Sequence, residues 1–148
     1  MDRKDFLKNC AVTCLGGFGM TMLAQGCGMA KLLTGKITGD DLVINVSDFE
    51  IKKGQEVQFR KYVIVQNEQL QYPICVYRMN ADEYSALWMR CTHQGTELQV
   101  FGERLQCPAH GSEFNNNGLV QNGPAAEKLR TFPITLEERQ LKISLKAV

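Results

Sequence analysis

Histidine is nearly absent: the 148 residues hold only His93 and His110. Any site needing three or more histidines is excluded, a zinc His₃ centre among them. An excess of either charge is also missing. Seventeen basic and sixteen acidic side chains leave a formal charge of +1, which does not supply the basic face that nucleic-acid binding needs. The length suffices for one domain with a real core and is too short for two large ones. The uncharged N-terminal run lacks an amphipathic pattern, no convincing helix emerges after it, and Pro133 would interrupt one near the end. Six cysteines are present, yet their spacing shows no disulfide framework. Repeats and low-complexity stretches are lacking too.

What is there begins with a leader. MDRKDFLK sets Arg3, Lys4 and Lys8 against Asp2 and Asp5, and a run of 22 uncharged residues, 9–30, follows. About 20 helical residues cross a bilayer, so the run is long enough to span. Its five glycines weaken both helix propensity and apolar area, which favours a cleaved signal over a permanent span. Arg3-Lys4-Asp5-Phe6-Leu7-Lys8 resembles a twin-arginine export signal with a lysine in the second place. Ala24-Gln25-Gly26-Cys27 resembles a bacterial lipoprotein cleavage box. Three outcomes stay open: cleavage with lipidation at Cys27, an uncleaved anchor helix, or simple cleavage. All point to the periplasmic side of a bacterial cell envelope, with membrane attachment by anchor or lipid in the first two. Residues 1–30 are therefore read as export signal or membrane anchor, 31–40 (KLLTGKITGD) as a linker, and 41–148 as the folded domain.

Short β-like runs broken by turn residues fill that domain. They are LVINV (42–46), KYVIVQ (61–66), PICVYRM (73–79), YSALWMRC (84–91), ELQVF and RLQC around Gly102-Glu103, then TFPITL and QLKISL. Gly102-Glu103 is a Gly-first pair suited to a two-residue hairpin turn. The spacing predicts an all-β sandwich or barrel. Within it Cys75 is expected to be a buried, inert thiol, and Tyr84 and Trp88 to pack in the core. Lys52-Lys53 and Arg60-Lys61 are expected on solvated faces, with steering of an acidic redox partner as the alternative.

The chemistry concentrates in two short stretches, Cys91-Thr92-His93-Gln94-Gly95 and Cys107-Pro108-Ala109-His110-Gly111-Ser112. The hairpin between them would bring the two loops together. Two thiolates and two imidazoles can hold one tetrahedral zinc or one two-iron cluster. Gly95 and Gly111 follow each ligand pair, where glycine permits backbone conformations and approaches that a Cβ blocks. A cluster with inorganic sulfurs needs backbone N–H donors packed around it, and a zinc ion does not.

The pair CTHQG and CPAHGSEF resembles the Rieske iron–sulfur proteins over roughly residues 60–145. Asn122-Gly123-Pro124-Ala125 resembles the proline-containing loop that covers the cluster in quinol-oxidising members. The resemblance implies a Rieske-like antiparallel β-sandwich or barrel with a small two-loop cluster-binding subdomain, and one [2Fe-2S] cluster per chain. It also implies that Cys91 and Cys107 bind one iron and His93 and His110 the other. Gly95, Gly111, Ser112 and Pro124 would contact the cofactor. Imidazoles in place of two thiolates remove negative charge, so reduction is less disfavoured; Rieske potentials run from about −150 to +300 mV against roughly −400 mV for all-thiolate plant-type clusters.

The departures from that pattern carry information. The loop disulfide of quinol-oxidising members would fall at Thr96 and Ala109, so it is missing here. Ser112 matches a serine that donates to a cluster sulfur, whereas Phe114 stands where high-potential members have a tyrosine donor. One donor kept and one lost implies an intermediate potential. Gln94 stands where those members often carry leucine. The resulting expectation is one-electron transfer at the cell envelope, within or next to a quinol-oxidising respiratory chain, with a membrane complex or cytochrome as redox partner. The alternatives are a ferredoxin-like feeder of an oxygenase and, in a different class, a zinc-stabilised β binding module. No stand-alone catalysis is expected, because both histidines would be ligands.

Overall fold

A computed structural model describes residues 30–146. Residues 1–29, and with them the leader and Cys27, lie outside the described part. Among the described residues are one short 3-10 helix, Val46–Phe49, and fifteen strands. These are β1 Lys31–Thr34, β2 Lys36–Thr38, β3 Asp41–Asn45, β4 Glu50–Lys53, β5 Glu56–Phe59, β6 Tyr62–Gln66, β7 Ile74–Arg78 and β8 Tyr84–Trp88. They continue as β9 Gln99–Phe101, β10 Arg104–Gln106, β11 Glu113–Asn115, β12 Val120–Asn122, β13 Thr131–Phe132, β14 Ile134–Glu137 and β15 Gln140–Ser144. The all-β reading holds, and none of the described helices is long and apolar enough to cross a membrane.

Three sheets and a hairpin are built from these strands. A five-stranded sheet runs β1-β6-β7-β8-β13, a four-stranded sheet β14-β15-β3-β2, and a second four-stranded sheet β12-β11-β10-β9. β4 and β5 form the hairpin. Pairing is antiparallel throughout except for β1, which lies parallel to β6. That pair corrects the linker expectation for 31–40. Gly35 is buried between β1 and β2, its N–H bonded to the Gln66 carbonyl at 3.0 Å. The glycine that suggested a linker is there for close approach: a Cβ would lie 2.6 Å from Leu42 Cδ1 and 2.7 Å from Val65 Cγ1.

The five-stranded sheet is buried on both faces, and its sequence says why. Side chains alternate across a strand. On β7, Ile74 and Val76 enter one core, while Cys75 and Tyr77 enter another. On β8, Ala86 faces the first core and Leu87 the second. Such a strand reads as an unbroken apolar run rather than an alternating one, as PICVY does. The first core, a base, fills the space toward β3 and β15 with Leu42, Ile44, Leu141 and Ile143. Tyr84 and Trp88 pack against it. The second core holds Leu98, Leu105, Phe114 and Leu129 together with Cys91 and Cys107. A small subdomain around the β12-β11-β10-β9 sheet thus sits on the outer face of the base sheet.

Candidate metal centre

The β9–β10 hairpin delivers the two loops as expected. Phe101 pairs with Arg104, so Gly102-Glu103 is the two-residue turn, and Gly102 takes φ +61°. A loop at each end of this unit carries one cysteine and one histidine. Both cysteines are free and buried. Both histidines are exposed, their ring centroids 5.0 Å apart and their planes at 88°. The site therefore has a buried sulfur side and an exposed imidazole side.

The two loops share one backbone plan. Cys91 N–H donates to the Thr96 carbonyl at 2.8 Å, and Gly95 N–H donates back to the Cys91 carbonyl at 2.9 Å. In the second loop Cys107 N–H donates to the Ser112 carbonyl at 2.8 Å, and Gly111 N–H to the Cys107 carbonyl at 3.0 Å. Both bonds need the chain to fold back at the glycine. Gly95 and Gly111 accordingly have φ +77° and +78°, a region open to glycine and costly for other residues. Beyond Gly95 the Arg90 guanidinium packs close, 3.2 Å from where a Cβ would stand.

Donors point at sulfur. Burial pushes the Cys107 thiol pKa up. The backbone N–H groups of Ala109 and His110, then the Cys91 and Thr96 side chains, outweigh that and hold it below the ordinary thiol range. This is the donor arrangement that stabilises anionic sulfur. A third segment closes over the loops. Ser112, fully buried, accepts the Ala125 N–H on Oγ at 3.0 Å, which leaves its own hydroxyl hydrogen to donate elsewhere. Thr92 Oγ1 donates to the Glu127 carbonyl at 2.7 Å, and Asn122 Nδ2 to the Gly111 carbonyl at 3.4 Å. Pro124 is exposed in this segment, between Asn122 and Ala125. Phe114 is fully buried in the upper core.

A two-iron cluster asks for only two protein ligands per metal, and a buried sulfur pair beside an exposed imidazole pair suits it. Comparison with known proteins agrees. The Rieske [2Fe-2S] domain model matches residues 47–133, more than half of the chain. The chain belongs to the Rieske [2Fe-2S] domain family. It accordingly carries a Rieske-type [2Fe-2S] cluster.

Among its relatives, Methylxanthine N1-demethylase NdmA of Pseudomonas putida is 37% identical over 82 residues, 49% of this chain and 22% of that protein. The cytochrome b6-f complex iron-sulfur subunit of Prochlorococcus marinus is 31% identical over 85 residues, 56% of this chain and 42% of the subunit. The match thus spans less than half the length of these curated relatives. A solved Rieske structure, the cyanobacterial plasma membrane Rieske protein PetC3 from Synechocystis PCC 6803, aligns with TM-score 0.50 and 26% identity. That alignment covers 57% of this chain and 86% of the other.

Sequence reasoning missed several supports of the site. Tyr72 donates its hydroxyl to the Gly95 carbonyl at 2.7 Å, and Thr92 reaches Glu127 across the interface of two loops. Neither bond has a sequence signal, since each joins positions more than twenty residues apart. The basic pair Arg60-Lys61 is less available for steering than its sequence suggests, because Lys61 Nζ pairs with Glu103 Oε1 at 2.9 Å.

Proposed function

We propose that this protein passes single electrons through a [2Fe-2S] cluster held by Cys91 and Cys107 on one iron and His93 and His110 on the other. The proposal places it on the periplasmic side of a bacterial cell envelope, within or next to a quinol-oxidising respiratory chain. One observation carries the reading: the two sulfurs are buried while the two imidazoles stand exposed, 5.0 Å apart. Bound there, the cluster supplies a one-electron couple. The chain's residues do the rest. Backbone N–H donors favour negative charge at the Cys107 sulfur, the Asn122–Glu127 segment ties down both loops through hydrogen bonds, and the exposed rings offer the short path to a partner. Neutral imidazole ligands keep the couple well above all-thiolate clusters.

The envelope setting draws on the leader, with its basic start, uncharged run and Cys27. It also draws on the relatives named as cytochrome b6-f subunits and as a plasma membrane Rieske protein. Phe114 favours a second reading, a feeder of electrons to an oxygenase, because a buried phenylalanine offers no hydroxyl to a cluster sulfur. The relative named as a demethylase is in keeping with that alternative. Voltammetry of the purified protein separates the two. With Ser112 kept and Phe114 in place of a tyrosine, a quinol-linked carrier should show a midpoint in the middle or upper part of the range of about −150 to +300 mV. A value at its lower end contradicts the quinol reading and supports the feeder.

A further inference from the structure

The two ligand loops repeat each other's internal hydrogen bonds but are held from outside by different groups. In each, the cysteine N–H and the glycine N–H are satisfied within the loop. The glycine carbonyl is left as an acceptor for the surroundings. At Gly111 it meets the Asn122 side-chain amide at 3.4 Å, near the limit of a hydrogen bond. At Gly95 it receives the Tyr72 hydroxyl at 2.7 Å, a short and well-made bond.

We propose that Tyr72 is a positioning residue for the first ligand loop, fixing the Gly95–Thr96 peptide and, through it, Cys91 and His93. The inference rests on the ligand assignment above. Tyr72 comes from the turn between β6 and β7, so its bond ties the loop to the base sheet. Its ring is itself held, half-buried and edge-on to Trp88 with centroids 5.6 Å apart. The Arg90 guanidinium stands 6.0 Å from its ring centre and also packs beside Gly95. The peptide it grips is the important one. Its carbonyl belongs to Gly95, and the next carbonyl, of Thr96, takes the Cys91 N–H at 2.8 Å. Holding the first sets the plane on which the Cys91 amide hangs. All three described cysteines are free, so no covalent link performs this task among the described residues.

Tyr72→Phe tests this, because it deletes the hydroxyl and keeps the ring contacts. Three readouts are taken on the cluster-loaded protein: melting temperature, iron release to a chelator, and midpoint potential. The melting temperature should fall by no more than a few degrees, as the loss of one hydrogen bond allows. Iron release should quicken by about three- to tenfold, the worth of one hydrogen bond. The potential should move to more negative values, since loosened donors favour the reduced state less. Tyr84→Phe is the control. It removes another tyrosine–carbonyl bond, to Ala81 at 3.3 Å, from a side chain packed on the base core, and should change neither iron release nor potential. If Tyr72→Phe keeps the parent's release rate and potential, or Tyr84→Phe shifts them equally, Tyr72 has no positioning role. A parent protein that binds no iron would instead overturn the ligand assignment, and this inference with it.

Discussion

Ser112 has no exposed surface, and its hydroxyl oxygen already accepts the Ala125 N–H. Substituting alanine strands that amide in a buried place, which costs about 1–3 kcal/mol. It also removes a hydroxyl hydrogen from beside the ligand loop. Ser112→Ala should therefore unfold at lower denaturant concentration and show a more negative midpoint potential, measured by chemical denaturation and voltammetry. Cys75 makes a different prediction at the same scale. Burial pushes its thiol far above the ordinary range, with only partial relief from the neighbouring Tyr77 hydroxyl. A raised native pKa gives stability that is complete below the unfolded value and is lost as pH rises beyond it. The unfolded thiol titrates at about 8.5–9, so about 1–2 kcal/mol should be lost by pH 10. Cys75→Val should show a smaller fall in stability between pH 7 and pH 10; an equal fall would assign the loss to other groups. At this scale the two loops that carry the proposed ligands were legible, because two short motifs use both histidines of the chain and the structure brings those rings to 5.0 Å. Tyr72 was not, because its partner lies 23 residues away and a tyrosine in a turn announces nothing.

Strands were legible where one side of the pattern was buried without interruption. PICVYRM and YSALWMRC gave β7 and β8, and the turn between them is set by Asn80, whose Oδ1 accepts the Asp82 and Glu83 N–H groups at 2.9 Å each. The hairpin of β14 and β15 turns through Glu138 and Arg139, at φ +47° and +64°. No glycine marks that turn, so only the flanking apolar runs signalled it. Residues 31–40 were misread because glycine has two uses, and sequence alone does not separate them. Here Gly35 lets β1 approach Leu42 and Val65. Gly35→Ala should overpack that contact and cost about 1–3 kcal/mol. Thermal denaturation checks it: an unchanged melting temperature would mean that Leu42 and Val65 give way and that Gly35 is not needed for the approach.

At the scale of the molecule, the five-stranded sheet carries a core on each face. The base core is apolar throughout, while the upper core ends in two cysteines and is tied to the covering segment by side-chain bonds from Thr92, Ser112 and Asn122. This division lets the two loops keep their places although the described cysteines form no disulfide. Each loop closes on itself through its glycine, and the sheet beneath supplies the fixed reference. The family was legible because the loop motifs concentrate the chemistry. The partner was not, because exposed residues around the imidazoles, such as Gln94, Pro108 and Ala109, carry no charge pattern that would select one. The central claim is that four side chains hold a pair of irons with mixed ligation. It is tested most directly by EPR of the reduced protein followed through a redox titration, with iron and labile sulfide counted on the same sample. The account predicts a rhombic signal of low average g, titrating as one electron between about −150 and +300 mV. A sample without iron, or an all-thiolate type of couple at roughly −400 mV, would contradict it.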